Sequence, residues 1–153
     1  MNHSAVHNTA LIGQIADRYG RQSVTASIDY KTGWLGSSTT YTLNGEEKVV
    51  DDPVTLAKRF QDAGAGEILL NAIDRDGTYQ GFDLKTIGKV ASAVGLPVVA
   101  CGGAGTIEDQ SRAIDADASA VAAGSMFVFQ RPHNAVLISY PSQEILETGL
   151  FRK

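Results

Sequence analysis

The chain of 153 residues is 43% hydrophobic, which suffices for a packed core, and we predict a single domain over residues 1–153. A formal net charge of −4 without a dense Lys/Arg cluster argues against binding to nucleic acid or anionic lipid. One cysteine cannot form an internal disulfide, no apolar run approaches the roughly 20 residues of a membrane helix, and the start lacks signal-peptide features, so the sequence predicts a cytoplasmic protein.

Four continuous apolar runs predict β-strands that are covered on both faces. They are Ser23–Ile28, Glu67–Ile73, Pro97–Ala100 and Ser119–Ala123. Stretches with helical spacing precede, separate and follow these strands, namely Val6–Tyr19, Pro53–Ala63, Leu84–Val94, Ile107–Asp115 and Ser142–Thr148. The alternation predicts an α/β fold in which a leading helix is followed by four parallel βα units.

The segment Lys31–Asp52 interrupts this alternation. It is rich in Gly, Ser and Thr, and Asn44-Gly45 is typical of a hairpin turn. A long connection of this kind between a strand and a helix is often a lid or a binding loop. Further along, Thr106 and Asp109 stand at the spacing of a helix capping box, with Asp in the usual Glu position.

Polar or glycine-rich residues follow all four predicted strands. Sites in parallel α/β folds lie at the carboxyl ends of the strands, so these residues are the candidate site. They include Asp29 and Lys31, Asp76 and Gly77, Gly102 and Gly103, and Gly124 and Ser125. The glycines before helices favour a phosphate bound by backbone N–H groups, although glycines also simply form turns, and the acidic turn after the second strand is also compatible with a local ion pair.

The three histidines and the single cysteine do not form a recognisable metal-binding motif. His3, His7 and His133 show no metal-ligand spacing, and they are interpreted as surface or capping residues. Cys101 is expected to pack under the glycine loop that follows it, and the alternative is a thiol that faces the site. No metal site and no cofactor is therefore predicted.

Three segments then resemble a known family. "GAGEILLNAIDRDGTYQGFDL", "LPVVACGGAG" and "DASAVAAGSMFVF" are similar to the cyclase subunit of imidazole glycerol phosphate synthase, the HisF family of (β/α)8 barrels in histidine biosynthesis. "AVHNTALIGQIADRYGRQSVTASIDYK" resembles the helix after the fourth strand and then the fifth strand of that barrel. The resemblance implies the C-terminal half of a TIM-type barrel. The sister isomerase of the pathway shares "RDGT" and a glycine pair, but "AIDRDGTYQG" with "GGAG" fits the cyclase better.

The resemblance also implies roles for individual residues. Asp29 matches the strand-five catalytic carboxylate, and Lys31 matches a neighbouring lysine. Glu67 matches an acidic residue on the side where ammonia enters from a glutaminase subunit. One phosphate of the substrate is matched by Asp76, Gly77, Gly102, Gly103, Gly124 and Ser125. Asn2 matches an asparagine that helps to bind the other phosphate.

The implied reaction adds ammonia from a glutamine amidotransferase subunit to a phosphorylated ribulosyl aminoimidazole carboxamide nucleotide. The products are imidazole glycerol phosphate and a carboxamide ribonucleotide, and the family needs no cofactor. Two aspartates on opposite sides of the barrel suit this chemistry, because one donates a proton while the other accepts one. The second aspartate of the family lies at the end of strand one, which the chain lacks, so activity of this chain alone is not expected.

The sequence also departs from the family in ways that keep two alternatives open. Cys101 stands where the family commonly has Ser, and His3 stands where a small hydroxyl residue helps to bind phosphate. The tail "PHNAVLISYPS" is closer to a HisF-like branch that serves sugar amidation in surface-polysaccharide synthesis. The other alternative is a non-catalytic half-barrel that binds phosphate or pairs through its open sheet, either with itself or with an N-terminal half.

Overall fold

The computed structural model describes residues 1–34 and 36–150, and it is built around one mixed sheet of six strands. The strands are β1 (Thr25–Thr32), β2 (Ser38–Thr42), β3 (Glu47–Lys48), β4 (Glu67–Ala72), β5 (Val98–Cys101) and β6 (Ala120–Ala122). Their order in the sheet is β3-β2-β1-β4-β5-β6. The pairs β1–β4, β4–β5 and β5–β6 are parallel, whereas β2 and β3 are antiparallel additions at one edge.

Helices separate the parallel strands, as the sequence predicts. They are α1 (His3–His7), α2 (Ala10–Tyr19), α3 (Pro53–Asp62), α4 (Leu84–Ala91), α5 (Ile107–Asp115), α6 (Ser125–Val128) and α7 (Gln143–Leu150). A small hairpin of β7 (Phe129–Gln130) and β8 (Ala135–Val136) precedes α7. The α/β class with parallel βα units, which corresponds to half of a TIM-type barrel, is thereby confirmed.

Local sequence explains where several helices begin. Asp52 caps α3 by accepting hydrogen bonds from the N–H groups of Val54 and Thr55 at 2.8 and 3.0 Å. The predicted capping box of α5 is present, with Thr106 and Asp109 bonded reciprocally. The leading helix differs from the prediction of one continuous element, because Asn8 adopts an extended conformation (φ −142°, ψ 79°) that separates α1 from α2.

Burial alternates along the strands, which corrects the prediction that both faces of the sheet are covered. The outer face packs under the helices and includes Ile28, Tyr30, Ile68 and Leu70, each at most 1% exposed. The inner face carries residues that are only partly buried, among them Ser27, Asp29, Leu69, Asn71, Val99 and Cys101. Apolar residues such as Leu69 and Val99 occur on the inner face as well. The alternation of buried and partly buried positions therefore does not appear in the sequence as an alternation of apolar and polar residues.

The segment Lys31–Asp52 contributes strands rather than only a loop; Leu35 lies outside the described residues. β1 turns back into β2, with Thr32 facing Ser38, and β2 continues into β3, with Thr42 facing Glu47. The predicted turn at Asn44-Gly45 is confirmed, because both residues have the positive φ angles that such turns need (57° and 89°).

The first residues of the chain run beside β1. The N–H of Ser27 donates to the carbonyl of Met1 at 2.6 Å, and the Met1 ammonium donates to the carbonyl of Thr25 at 2.6 Å. At the far edge, β6 pairs with β5 and with no other described strand. No helix in the described part of the chain is long and apolar enough to cross a membrane.

Candidate active site

The register of the parallel strands aligns four residues in one row across the inner face. Asp29 of β1 is the neighbour of Asn71 on β4, Asn71 is the neighbour of Cys101 on β5, and Cys101 is the neighbour of Ala122 on β6. This row lies near the carboxyl ends of the strands, where sites in parallel sheets are built. The predicted catalytic carboxylate therefore stands at the edge that the sequence indicated.

Asn71 holds the Asp29 carboxylate. Its Nδ2 donates to Asp29 Oδ1 at 3.1 Å, and the Ser27 hydroxyl approaches the same oxygen at 3.5 Å. The Oδ1 of Asn71 is buried, and no described residue donates a hydrogen bond to it. Sequence reasoning missed Asn71, although one amide inside the apolar run "EILLNAI" was a usable signal, because buried polar groups need partners.

Cys101 lies in the same row, which favours the alternative interpretation of a thiol that faces the site. It is on the inner face with Asp29 and Asn71, and it is partly exposed. Burial raises the pKa of its thiol, and the negative charges of Asp76 and Asp29 raise it further. The thiol is therefore neutral at physiological pH, and it presents a soft, weakly polar surface to the space in front of Asp29.

The loop after β4 packs against the loop after β5. The N–H of Gly81 donates to the carbonyl of Gly103 at 2.8 Å, and the Arg75 guanidinium donates to the carbonyl of Gly81 at 3.1 Å. Among the described residues, Arg75 forms no salt bridge with Asp74 or Asp76, so this turn is not held by a local ion pair. A β-carbon placed on Gly77 would lie only 3.6 Å from Ser125 Oγ, so the loop also reaches the end of β6.

Backbone geometry explains why two of the loop residues are glycines. Gly102 and Gly103 have φ angles of 92° and 100°, which other residues rarely adopt. A β-carbon on Gly102 would lie 2.4 Å from the carbonyl oxygen of Ala72, and one on Gly103 would lie 2.3 Å from that of Gly81. Close packing of two loops therefore requires these glycines. No described residue accepts a hydrogen bond from the N–H of Gly103, which leaves this donor for an anion.

The end of β6 completes this group of loops. Gly124 has no atom within 4 Å of a β-carbon placed on it, and Ser125 begins α6. The Tyr79 hydroxyl donates to the carbonyl of Ser125 at 3.1 Å. Arg131, from the small hairpin, lies over the Tyr79 ring with 4.8 Å between its Cζ and the ring centroid. The predicted residues of the first phosphate site are thus neighbours, and the hairpin lines a groove beside them.

Three other predicted residues lie apart from this cluster. Asn2 is at the β1 side of the sheet and donates to the carbonyl of Ser27 at 3.2 Å. The ammonium of Lys31 is directed toward the β2–β3 hairpin, 3.4 Å from the carbonyl of Gly45. Glu67 begins β4 at the opposite end of the sheet, where it accepts a hydrogen bond from Thr25 at 3.0 Å.

A buried polar network below the loops was also missed. Asp83 accepts hydrogen bonds from the Thr32 hydroxyl at 3.0 Å and from the N–H of Thr86 at 3.2 Å, and it is 8% exposed. Burial acts to raise the pKa of Asp83, but the hydrogen bonds from Thr86 and Thr32 outweigh it and hold that pKa below its usual value. Asp74 accepts the N–H of Thr32 at 3.0 Å. These contacts join the end of β1 to the loop after β4.

The histidines also need a correction. His3 and His7 are one helical turn apart on α1, which is a spacing that allows two ring nitrogens to share a ligand, and Glu47 of β3 lies beside both. The statement that His3 and His7 lack metal-ligand spacing is therefore wrong, whereas both side chains are exposed, as the surface interpretation predicted. His133 stands outside this group.

Comparison with known proteins gives this arrangement a family. Over 150 residues the chain is 45% identical to a protein of Pseudomonas aeruginosa with the provisional name imidazole glycerol phosphate synthase subunit hisF2, covering 97% of this chain and 60% of that protein. It is 41% identical over 128 residues to the imidazole glycerol phosphate synthase subunit HisF of Alkaliphilus metalliredigens, covering 83% of this chain and 51% of that protein. For the Pyrobaculum aerophilum HisF subunit the identity is 44% over 131 residues, with 85% and 51% covered.

The chain thus spans between half and three fifths of the length of these relatives. Residues 1–132 match the family model described as histidine biosynthesis protein, and the chain belongs to that family.

Proposed function

We propose that the chain is the C-terminal half of a cyclase subunit of imidazole glycerol phosphate synthase. One observation carries the proposal, namely that Asp29 and the glycine loops after β4, β5 and β6 meet at the carboxyl edge of one parallel sheet. A substrate phosphate seated on the loops would bring the rest of the molecule across the inner face toward Asp29. Relatives named as HisF subunits, over 40% identical, support the same assignment.

The proposed chemistry uses Asp29 as a general acid or base during ring closure. Asn71 positions its carboxylate, while the unpaired Oδ1 of Asn71 is an acceptor suited to an N–H group of ammonia or of the substrate. Gly77, Gly103 and Ser125 supply backbone donors and a hydroxyl for phosphate. No positive side chain is needed for this, since backbone N–H groups bind phosphate in many α/β proteins.

Ammonia is proposed to enter at the opposite end of the sheet. Glu67 is four residues before Asn71 on β4, and each residue of a strand advances about 3.3 Å, so the two ends are separated by about 13 Å. A glutaminase subunit would dock at the Glu67 end and release ammonia into the barrel. The barrel wall opposite the inner face, together with the second catalytic carboxylate, must come from an N-terminal half.

The decisive experiment supplies that missing half. The full chain would be co-expressed with the region of the Pseudomonas aeruginosa relative that precedes the matched residues, and turnover of the ribulosyl nucleotide would be measured with an ammonium salt as the nitrogen source. We expect imidazole glycerol phosphate to form and Asp29→Asn to lower kcat by about 100-fold or more, the range for loss of a general acid or base.

Asp115→Asn is the matched control, because Asp115 is an exposed carboxylate at the end of α5. It should leave kcat unchanged. Full activity in Asp29→Asn would reject the catalytic role of this residue. An assembled complex that binds the substrate without turnover would instead favour the non-catalytic phosphate-binding half-barrel.

One observation favours a second candidate, a HisF-like subunit that delivers ammonia for sugar amidation. The family match ends at residue 132, inside the turn between β7 and β8, and Leu137 just after β8 lines the groove beside the phosphate loops together with Arg131. A groove that is lined partly by residues outside the family match suits a substrate other than the ribulosyl nucleotide. Ammonia release coupled to a glutaminase, without any turnover of the ribulosyl nucleotide by the assembled barrel, would support this candidate over the cyclase.

A further inference from the structure

Three potential metal ligands converge between α1 and β3, on the side of β2 that follows the Asp29–Tyr41 pair. His3 Nδ1 lies 3.6 Å from Glu47 Oε2, and His7 Nε2 lies 3.2 Å from Glu47 Oε1. The two imidazole rings are 4.4 Å apart between centroids and are tilted by 54°. One ligand atom from each residue lies within 4.8 Å of the others. These three residues are called the His–Glu cluster below.

The spacing of the ligand atoms matches what a tetrahedral ion requires. Zinc binds nitrogen and carboxylate oxygen at about 2.0–2.2 Å, so two ligands on a tetrahedral ion are separated by roughly 3.3–3.6 Å. The two nitrogen–oxygen distances of 3.6 and 3.2 Å lie close to this range, although each involves a different oxygen of Glu47. All three side chains are between 39% and 50% exposed, which leaves them room to turn toward a shared ion.

A neighbouring hydroxyl group orients the carboxylate. Thr42 on β2 donates to Glu47 Oε2 at 3.0 Å, and its Oγ1 lies 3.3 Å from His3 Nδ1. Partners of this kind hold metal ligands in position in zinc proteins. Without a metal, the same side chains form only two exposed histidine–carboxylate contacts, which stabilise a protein weakly. Two weak surface contacts do not require both imidazoles to face one carboxylate that a threonine holds in place. A bound ion would require this arrangement.

We propose that the His–Glu cluster binds a divalent late first-row transition-metal ion, with Zn²⁺ as the reference ion. Two imidazoles and one carboxylate favour zinc, nickel or copper over Mg²⁺ and Ca²⁺, which prefer sites made of oxygen ligands. The fourth position is open to water. Such an ion would link α1 to β3, and it would lie next to Asn2 at the start of α1. The proposal does not require cyclase activity, although His3 stands at the position where the resemblance implies a phosphate-binding hydroxyl residue.

The test uses the full chain purified without a polyhistidine tag and stripped of metal by a chelator. Co²⁺ is added first, because its visible absorption distinguishes a tetrahedral site from a hydrated ion. The Kd for Zn²⁺ is then measured by competition with a chromophoric chelator. We expect one ion per chain and a tetrahedral Co²⁺ spectrum that Zn²⁺ abolishes.

Variants separate this site from other binding. His7→Ala and the nearly isosteric Glu47→Gln should each weaken Zn²⁺ binding by at least about tenfold, since even an outer partner of a zinc ligand contributes that much. His133→Ala is the matched control, because it removes the histidine outside the cluster and should leave the Kd unchanged. Circular dichroism confirms that each variant is folded. Octahedral Co²⁺ spectra, or equal affinity in His7→Ala and in the unaltered chain, would overturn the proposal.

Discussion

The outer and inner faces of the parallel sheet are formed by alternate residues of the same strands, yet they serve different purposes. On the outer face, Ile28, Ile68 and Leu70 are almost completely buried under helices. On the inner face, Asp29, Asn71 and Cys101 form the row next to that of Ile28 and Leu70, and they are partly open to solvent. The strands are therefore supported from one side only, and the chemistry is concentrated on the side that contributes less to stability.

Leu70 and Leu69 give the strongest test of this contrast, because they are adjacent on β4 and face opposite ways. Leu70 is 1% exposed, and Leu70→Ala should lower the free energy of unfolding by about 2–5 kcal/mol through lost burial and a new cavity. Leu69→Ala, on the partly open inner face, should cost less than about 1.5 kcal/mol. Urea denaturation followed by circular dichroism measures both. Equal losses would show that the inner face is packed as tightly as the outer.

A smaller effect is expected at Asp83, which joins the end of β1 to the start of α4. Asp83→Asn should lower the free energy of unfolding by about 1–3 kcal/mol at pH 7, because it weakens the cap of α4 and the bond from Thr32. The pKa of Asp83 is lowered in the folded chain, so its contribution is complete above the unfolded value of about 3.9 and disappears as the pH falls below it.

Stability measured between pH 7 and pH 3 checks this sign. The difference between the unaltered chain and Asp83→Asn should be constant at neutral pH and should shrink in acid. A difference that grows as the pH falls would mean that Asp83 is protonated in the folded chain.

The smallest effect concerns the thiol of the inner face. Cys101 should react with a maleimide more slowly than free cysteine at pH 8, and its pH–rate profile should have a midpoint above the ordinary value of about 8.5. The Asp29 charge is one cause of the raised pKa, so Asp29→Asn should shift the midpoint downward. An unchanged pH–rate profile in Asp29→Asn would show that the charge of Asp29 does not influence the Cys101 thiol.

Sequence was sufficient where local chemistry decides the structure. The helical stretch Pro53–Ala63, the Thr106–Asp109 box and the run Glu67–Ile73 predicted α3, α5 and β4 to within a residue or two. Asn44-Gly45 likewise predicted the turn before β3. These features depend on neighbours in the chain, and such neighbours are visible in one sequence.

Contacts between segments that are far apart in the chain could not be predicted from the sequence. The two interpretations of Cys101 could not be separated from sequence, because the apolar Leu69 and Val99 mask the period-two pattern of the strands. The His–Glu cluster was missed because its carboxylate comes from a hairpin some 40 residues away from α1. Asp29 was found by its position at a strand end, but its partner Asn71 depends on the register of β1 and β4.

That register also has a consequence for how the chain folds. The β1–β2 hairpin brings together residues close in sequence, such as Thr32 and Ser38, and hairpins of this kind form within about 1–10 μs. Pairing of β1 with β4 joins Thr25 to Glu67, which are 42 positions apart. The entropy of closing this long loop is therefore lost before the hydrogen bonds between the two strands form. We expect β4 docking, rather than hairpin formation, to set the rate at which the row containing Asp29 is assembled.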